Sequence, residues 1–454
     1  MTGEPTRYGK AGRQAVRELL EENSPERLKE SLATLHPADS AGALPALSLA
    51  QQVKVLRLME AENAAQVIYD LDRAMVVPLL EGLGRQRTAR LLEEMSDDDA
   101  ADLLGELPPG EKERLLGIMA AADAQDIRKL LAYGAETAGG IMTTEYVTIE
   151  KGLTAREAIQ ALRASAREAE TIYYVYVLNR INQLAGVLSL KDLIMADPEA
   201  PVQDVMSGRV ISVNVRTDQE EVARLVAKYD FLAIPVVNDQ QELLGIVTVD
   251  DVLDVIEEEA TEDIMRLAAN IDQEGQDFEA GTWRRAARRL PWLVILLFGE
   301  LMAGNVIKSY SGALETMTLL AFFITIMAGG PGNAATQSLA VVVRGLATGE
   351  VEPGDIFKVI WKETRVGVLV GLVSGLVMAV TAYLWQGLPM LGLVVGLSLA
   401  ASIVAATLLG SFFPVVIHRL GVDPALASGP FITTLMDITS MMIYFGLASI
   451  LLLR

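Results

Sequence analysis

The sequence predicts a multidomain α + α/β membrane protein: an N-terminal α-helical repeat domain of solenoid type, two tandem β-α-β-β-α units, and a five-helix transmembrane domain. Three observations predict it. Apolar residues recur every 12 positions over the first part of the chain, a strand-and-helix pattern occurs twice, and long apolar segments fill the stretch after about residue 290. A chain of 454 residues exceeds one compact domain. Nearly the whole net charge of −21 falls before residue 290, a field that disfavours nucleic acid and favours cations. Cysteine is absent and only two histidines occur, so soft or borderline metals lack their usual ligands. The N-terminus is polar without an apolar signal-peptide core, which places the soluble part in the cytoplasm.

Residues 1–24 read as a polar segment and 25–136 as an acidic helical repeat domain. Leu35, Leu47, Met59, Leu71, Leu83, Met95, Leu107, Met119 and Leu131 stand 12 apart, and Leu32, Leu44, Leu56, Ile68, Leu80, Leu92, Leu104 and Leu116 run three residues ahead of them. One short amphipathic helix and its turn per 12 residues, paired into stacked hairpins, fits that spacing. Asp97, Asp98, Asp99 and Asp102 cluster at the start of one such helix, either as caps or as cation ligands.

The two β-α-β-β-α units occupy 137–204 and 205–258. Ile141–Ile149 matches Val205–Val213, Gly186–Asp192 matches Gly245–Asp251, and each unit has a β-rich strand, Tyr173–Leu178 and Ala233–Val237. The pair resembles tandem CBS domains, a regulatory module. In that family a Gly-x-x-Ser/Thr-x-x-Asp turn can hold the ribose and phosphates of an adenine nucleotide, which here points to Ser189 and Asp192, and to Thr248 and Asp251. Many such modules bind no nucleotide, so ATP is an open reading.

Residues 259–289 read as a connecting helix and linker. Asp250, Asp251, Asp254, Glu257, Glu258, Glu259, Glu262 and Asp263 crowd one helix without interleaved lysines, either as a solvated face or, as favoured here, a site for hard divalent cations. A polar linker, Asn270–Gly281, and a basic helix, Trp283–Arg289, follow; the latter fits the positive-inside pattern and contact with anionic lipid.

Residues 290–454 form the predicted pore domain, with spans at about 290–307, 316–343, 366–385, 390–417 and 431–453. Basic residues sort to one side: Arg284, Arg285, Arg288 and Arg289, then Arg344, Lys358, Lys362 and Arg365, then His418 and Arg419. That asymmetry sets the soluble domains inside and the C-terminus outside. Asp437 lies about two turns into the fifth span, where a carboxylate costs at least ~2.5 kcal/mol unless it faces a bundle interior or water. It is read as the single intramembrane acid, meeting a transported cation or serving as a structural acid. Thr433 shares its face. In the second span Ala328–Ser338, with Gly329, Gly330 and Pro331, is expected to break the helix, and Asn333, Thr336 and Gln337 need polar partners or water there.

With these residues in view, the chain resembles the MgtE family of magnesium channels along almost its full length. The runs Gly-Gly-Pro-Gly-Asn-Ala-Ala-Thr-Gln-Ser and Gly-Pro-Phe-Ile-Thr-Thr-x-x-Asp carry the resemblance. One departure follows the aspartate, where Ile438-Thr439-Ser440 replaces a frequent early glycine; altered local packing is expected. The resemblance implies a homodimer in the plasma (inner) membrane with one central pore, Asp437 of each subunit holding hydrated Mg²⁺ and Asn333 nearby. It implies cytosolic Mg²⁺ bound among the repeat domain, the CBS pair (Glu220 and Asp230 included) and the connecting helix, closing the pore. Two other functions are weighed: a proton-coupled divalent-cation transporter, and a nucleotide sensor merely anchored by its spans. No phosphate loop, nucleophile elbow or histidine-metal motif points to an enzyme.

Overall fold

The computed structural model describes residues 29–30, 32, 35–165, 169–267, 282–347, 351, 356–420 and 429–452. The polar segment 1–24, the linker Asn270–Gly281 and the C-terminal Arg454 lie outside the described residues, as do the side chains of Arg284, Arg285 and Arg288. The chain divides into two compact units, Met1–Ile256 and Glu257–Arg454.

Among the described residues of the first unit, eight helices begin at 12-residue intervals: α1 (Pro37–Ala41), α2 (Leu49–Leu58), α3 (Ala61–Tyr69), α4 (Arg73–Leu83), α5 (Arg85–Leu92), α6 (Asp97–Gly105), α7 (Pro109–Leu116) and α8 (Ala121–Leu130). Polar residues start several of them. Ser48 and Gln51 form a capping box on α2, and Asp72 accepts the Ala74 N–H of α4. Helices pack on the next but one, α1 on α3, α3 on α5, α5 on α7, and likewise α2 on α4 and α6 on α8. This makes two rows, with Leu44, Leu56, Ile68, Leu80, Leu92, Leu104 and Leu116 buried in one continuous core. Repeats too short to bury an apolar face alone do so by stacking.

The strand-bearing part of this unit holds two sheets of one design. β1 (Thr148–Glu150) pairs parallel with β2 (Tyr174–Leu178), which pairs antiparallel with β3 (Leu184–Ser189). β4 (Val213–Asn214), β5 (Ala233–Val237) and β6 (Leu243–Thr248) repeat that order. The sheets share an apolar seam of Tyr176, Ala233, Val237, Leu243 and Ile246. Between the strands come α9 (Ala155–Ser165), α10 (Leu190–Met195), α11 (Val202–Val205) and α12 (Gln219–Tyr229), and α13 (Val249–Leu267) follows β6.

Among the described residues, the second unit contains five helices long and apolar enough to cross a membrane: Arg289–Ser309, Thr318–Leu346, Ile356–Gln386, Pro389–Arg419 and Gly429–Leu451. The third and fourth spans approach through small residues. A Cβ at Gly375 would lie 2.5 Å from the Gly396 carbonyl, and one at Gly396 would lie 2.6 Å from the Gly375 carbonyl. The second span differs from expectation. The helix Ile324–Ala347 runs unbroken through Gly329, Gly330 and Pro331. Proline removes only its own ladder bond, and the span tolerates that loss without unwinding. The irregular stretch comes earlier, as a 3₁₀ segment at Thr318–Phe323 whose Leu320 carbonyl accepts the Tyr444 hydroxyl at 2.9 Å.

Candidate functional site

Two groups of acids stand out, one in each unit. In the first unit the end of α3, the start of α6, the segment before β2 and the start of α13 enclose a cavity of about 310 Å³. Tyr69, Asp70, Ser96, Asp99, Glu170, Asp250, Asp251, Leu253 and Asp254 line it, and none of these is basic. Carboxylate oxygens of Glu170, Asp250 and Asp251 lie within 4.8 Å of one another. The Tyr69 hydroxyl donates to Asp254 at 2.9 Å and the Thr248 hydroxyl donates to Asp251 at 2.5 Å.

Crowding and burial show in the acidities. Burial, then the charge of Asp98, pushes Asp251 up to about 9 and Glu170 to about 8. Glu170 keeps an open side to solvent. Burial and Asp98 likewise raise Asp99 to about 7. Asp98 is itself raised by burial, being 5 % exposed, and its Oδ1 finds no hydrogen-bond partner among the described residues. Beside it, Asp97 accepts the Thr144 hydroxyl, and Glu145 is raised to about 7 by burial and then by Asp97. Buried carboxylates with neither a cation nor enough donors are costly. The donor set is all oxygen, carboxylate and hydroxyl, which suits a hard divalent cation such as Mg²⁺.

Several acids singled out in the sequence do not line this cavity. Asp102 pairs with Arg73 at 3.6 Å. Glu220 sits in the first turn of α12, and Asp230 caps its end in the left-handed conformation. Glu257, Glu258, Glu259, Glu262 and Asp263 lie on the later turns of α13, in the second unit, where Glu262 pairs with Arg266. Conversely, sequence reasoning missed Glu170, Asp70 and Tyr69, which belong to no acidic run, and Glu145, which lies inside the matched stretch Ile141–Ile149.

The nucleotide turns differ from each other. In the first copy the Ser189 hydroxyl donates to Asp192 at 2.7 Å on an exposed surface. In the second, Thr248 is 3 % exposed and its hydroxyl is committed to Asp251.

In the second unit, Gly332 lies against Thr433 and Gly429 against Thr336, so the second and fifth spans cross antiparallel at small residues. Gly329, Gly330, Asn333 and Gln337 face outward on the uncovered side of the second span. Thr336 and Thr433 return their hydroxyls to the carbonyls of Gly332 and Pro430. Ser440, in the departing triplet, is fully buried and donates to Met436 at 2.6 Å, a packing role. Asp437 is not the only acid at this depth. Glu300 of the first span hydrogen-bonds its side chain, and the sequence reading that counted one intramembrane acid is corrected.

Comparison with known proteins covers both units. The family model MgtE, described as a divalent cation transporter, matches residues 324–447. The MgtE intracellular N domain matches 35–136, and CBS domains match 138–199 and 202–258. The chain is 46% identical over 333 residues to the magnesium transporter MgtE of Bacillus subtilis, covering 73% of each chain. It is 40% identical over 441 residues to the magnesium transporter MgtE of Thermus thermophilus, covering 96% of this chain and 98% of that one. Among solved structures, it resembles the cytosolic domain of the Mg²⁺ channel MgtE in complex with ATP, at TM-score 0.52 and 41% identity, over 54% of this chain and 99% of that one. It also resembles the soluble part of a magnesium transporter, at TM-score 0.51 and 37% identity, over 56% of this chain and 99% of that one.

Proposed function

The chain belongs to the MgtE family of divalent-cation transporters, and on that premise we propose that it is a Mg²⁺-selective channel closed by cytosolic Mg²⁺. The observation that carries the gating is the convergence of Glu170, from the segment before β2, with Asp250 and Asp251, from the start of α13, in a cavity lined by no basic residue. Without cations, Asp250 and Asp251 repel Glu170 of the first strand-bearing copy and Asp99 of the helical repeats; a bound ion turns that repulsion into a bridge. Asp97, Asp98, Asp99 and Asp254 extend the acidic surface around it.

Conduction is assigned to a homodimer whose two protomers line one central path. Each contributes Asp437 and the outward face of Gly329, Gly330, Asn333 and Gln337. Thr336 and Thr433 serve by packing the two spans together. Mg²⁺ gives up water reluctantly, so a carboxylate selects it through its shell. The proposed topology has the cytosolic domains inside the plasma membrane and the C-terminus outside. ATP falls to Ser189 and Asp192 of the first copy, on the strength of the ATP-bound relative and the exposure of that pair to solvent.

The test is Mg²⁺ uptake and current in liposomes. Asp437→Ala abolishes flux in a folded, inserted protein, and undiminished uptake removes Asp437 from the mechanism. A reversal potential that follows the Mg²⁺ gradient at every pH supports a channel; one that follows the proton gradient supports coupled transport instead.

A further inference from the structure

Glu300 lies in the middle of the first span between Phe298, Leu301 and Met302, whose side chains are 65%, 58% and 60% exposed. A carboxyl group among such neighbours at mid-membrane is costly unless something polar answers it. Its answer is the Asp437 side chain, to which it is hydrogen-bonded. The backbone makes that meeting possible. At Gly299 any Cβ would collide with Cγ2 of Thr434, so glycine lets the first and fifth spans close together one residue before Glu300 and one turn before Asp437.

We propose that Glu300 is a positioning residue for the ion path, holding the Asp437 carboxyl in one orientation through their side-chain hydrogen bond. The inference rests on the reading of Asp437 as the ion-selecting acid. An unheld aspartate turns about two side-chain torsions, and a hydrated ion meets its oxygen in only a fraction of those settings. Bonding one oxygen to Glu300 leaves the other presented to the path, and the ordering cost is met before the ion arrives. A carboxyl–carboxyl bond takes a hydrogen on one of the two groups. A glutamine amide at position 300 supplies such a hydrogen permanently, which separates the bond from the charge of Glu300.

Full-length protein in liposomes tests this, with Mg²⁺ uptake followed against Mg²⁺ concentration. Glu300→Ala raises the half-saturating concentration about tenfold, the size expected when a hydrogen bond to a charged group is lost, with maximal uptake held within about twofold. Glu300→Leu, which keeps the bulk, does the same should the alanine variant fail to insert. Glu300→Gln restores half-saturation to within about twofold of the parent. Unchanged half-saturation in both Glu300→Ala and Glu300→Leu, with Asp437→Ala inactive alongside, overturns the positioning role and leaves the pore reading standing. Glu300→Gln as impaired as Glu300→Ala overturns it too, because the charge and not the bond then matters. Full uptake by Asp437→Ala removes the pore reading itself.

Discussion

The two strand-bearing halves of the first unit are copies that diverged in what surrounds them. Tyr174 pairs with Ser189 as Ala233 pairs with Thr248, and both central strands carry an irregularity at the same place, Val177/Leu178 and Val236/Val237. Ser189 and Thr248 each bond an aspartate three residues on, Asp192 and Asp251. Yet Asp192 stands on an open surface, while Asp251 stands in the acidic cavity against Glu170 and Asp250. One turn geometry therefore serves two chemistries, and the environment decides between them. A solvated aspartate suits a helix cap, while the same aspartate crowded by Glu170 and Asp250 suits the cation site proposed above.

Exchanging the roles of the two aspartates gives the largest expected effect. Asp251→Asn raises the cytosolic Mg²⁺ needed for half-closure at least tenfold, on the order of the cost of one lost charged contact. Asp192→Asn leaves closure in place and weakens ATP binding. Patch recordings at graded Mg²⁺, paired with calorimetry of ATP, check both halves.

A smaller effect concerns acidity. Burial and mutual crowding push Asp251, Glu170 and Asp99 up to about 9, 8 and 7 in the folded protein, above the values they have unfolded. Groups raised in this way stabilise fully below their unfolded values, and that contribution disappears as pH rises through the folded ones. Without divalent cations the melting temperature of the cytosolic transition thus falls between pH 6 and 9. Saturating Mg²⁺ flattens the slope, because the ion displaces the protons, and Asp251→Asn reduces it. A slope of opposite sign removes the crowding from the account.

The smallest effect is local. The Ser189 side chain accepts the Asp192 N–H at 3.0 Å, capping α10. Ser189→Ala costs about 1 kcal/mol in chemical denaturation, without changing Mg²⁺-dependent closure.

Legibility from sequence followed the range of the interactions. The 12-residue spacing of Leu44, Leu56 and Ile68 marks helices because an amphipathic repeat is local, and helix starts at Pro37, Leu49 and Ala61 keep that period. Asp251 was visible within a run of acids. Glu170 was not, since it reaches Asp251 only through the fold of the first copy and sits outside any motif of its own. Glu300 stood in plain view inside an apolar segment, but its meaning depends on Asp437, which lies on another span. The glycines of 329–332 read as a break because glycine and proline disfavour helix in water. Inside a packed bundle the unsatisfied alternative costs more, and the helix persists.

A row in which every helix leans on the next but one has a parity. Removing one 12-residue repeat moves each later helix from its own row into the other, where it meets faces it was not shaped for. Removing two returns every helix to its row with the stack merely shortened. Upstream of Asp97, an odd change also carries the cavity acids of α6 to the wrong side. Changes of length in this domain are thus tolerated in steps of two repeats.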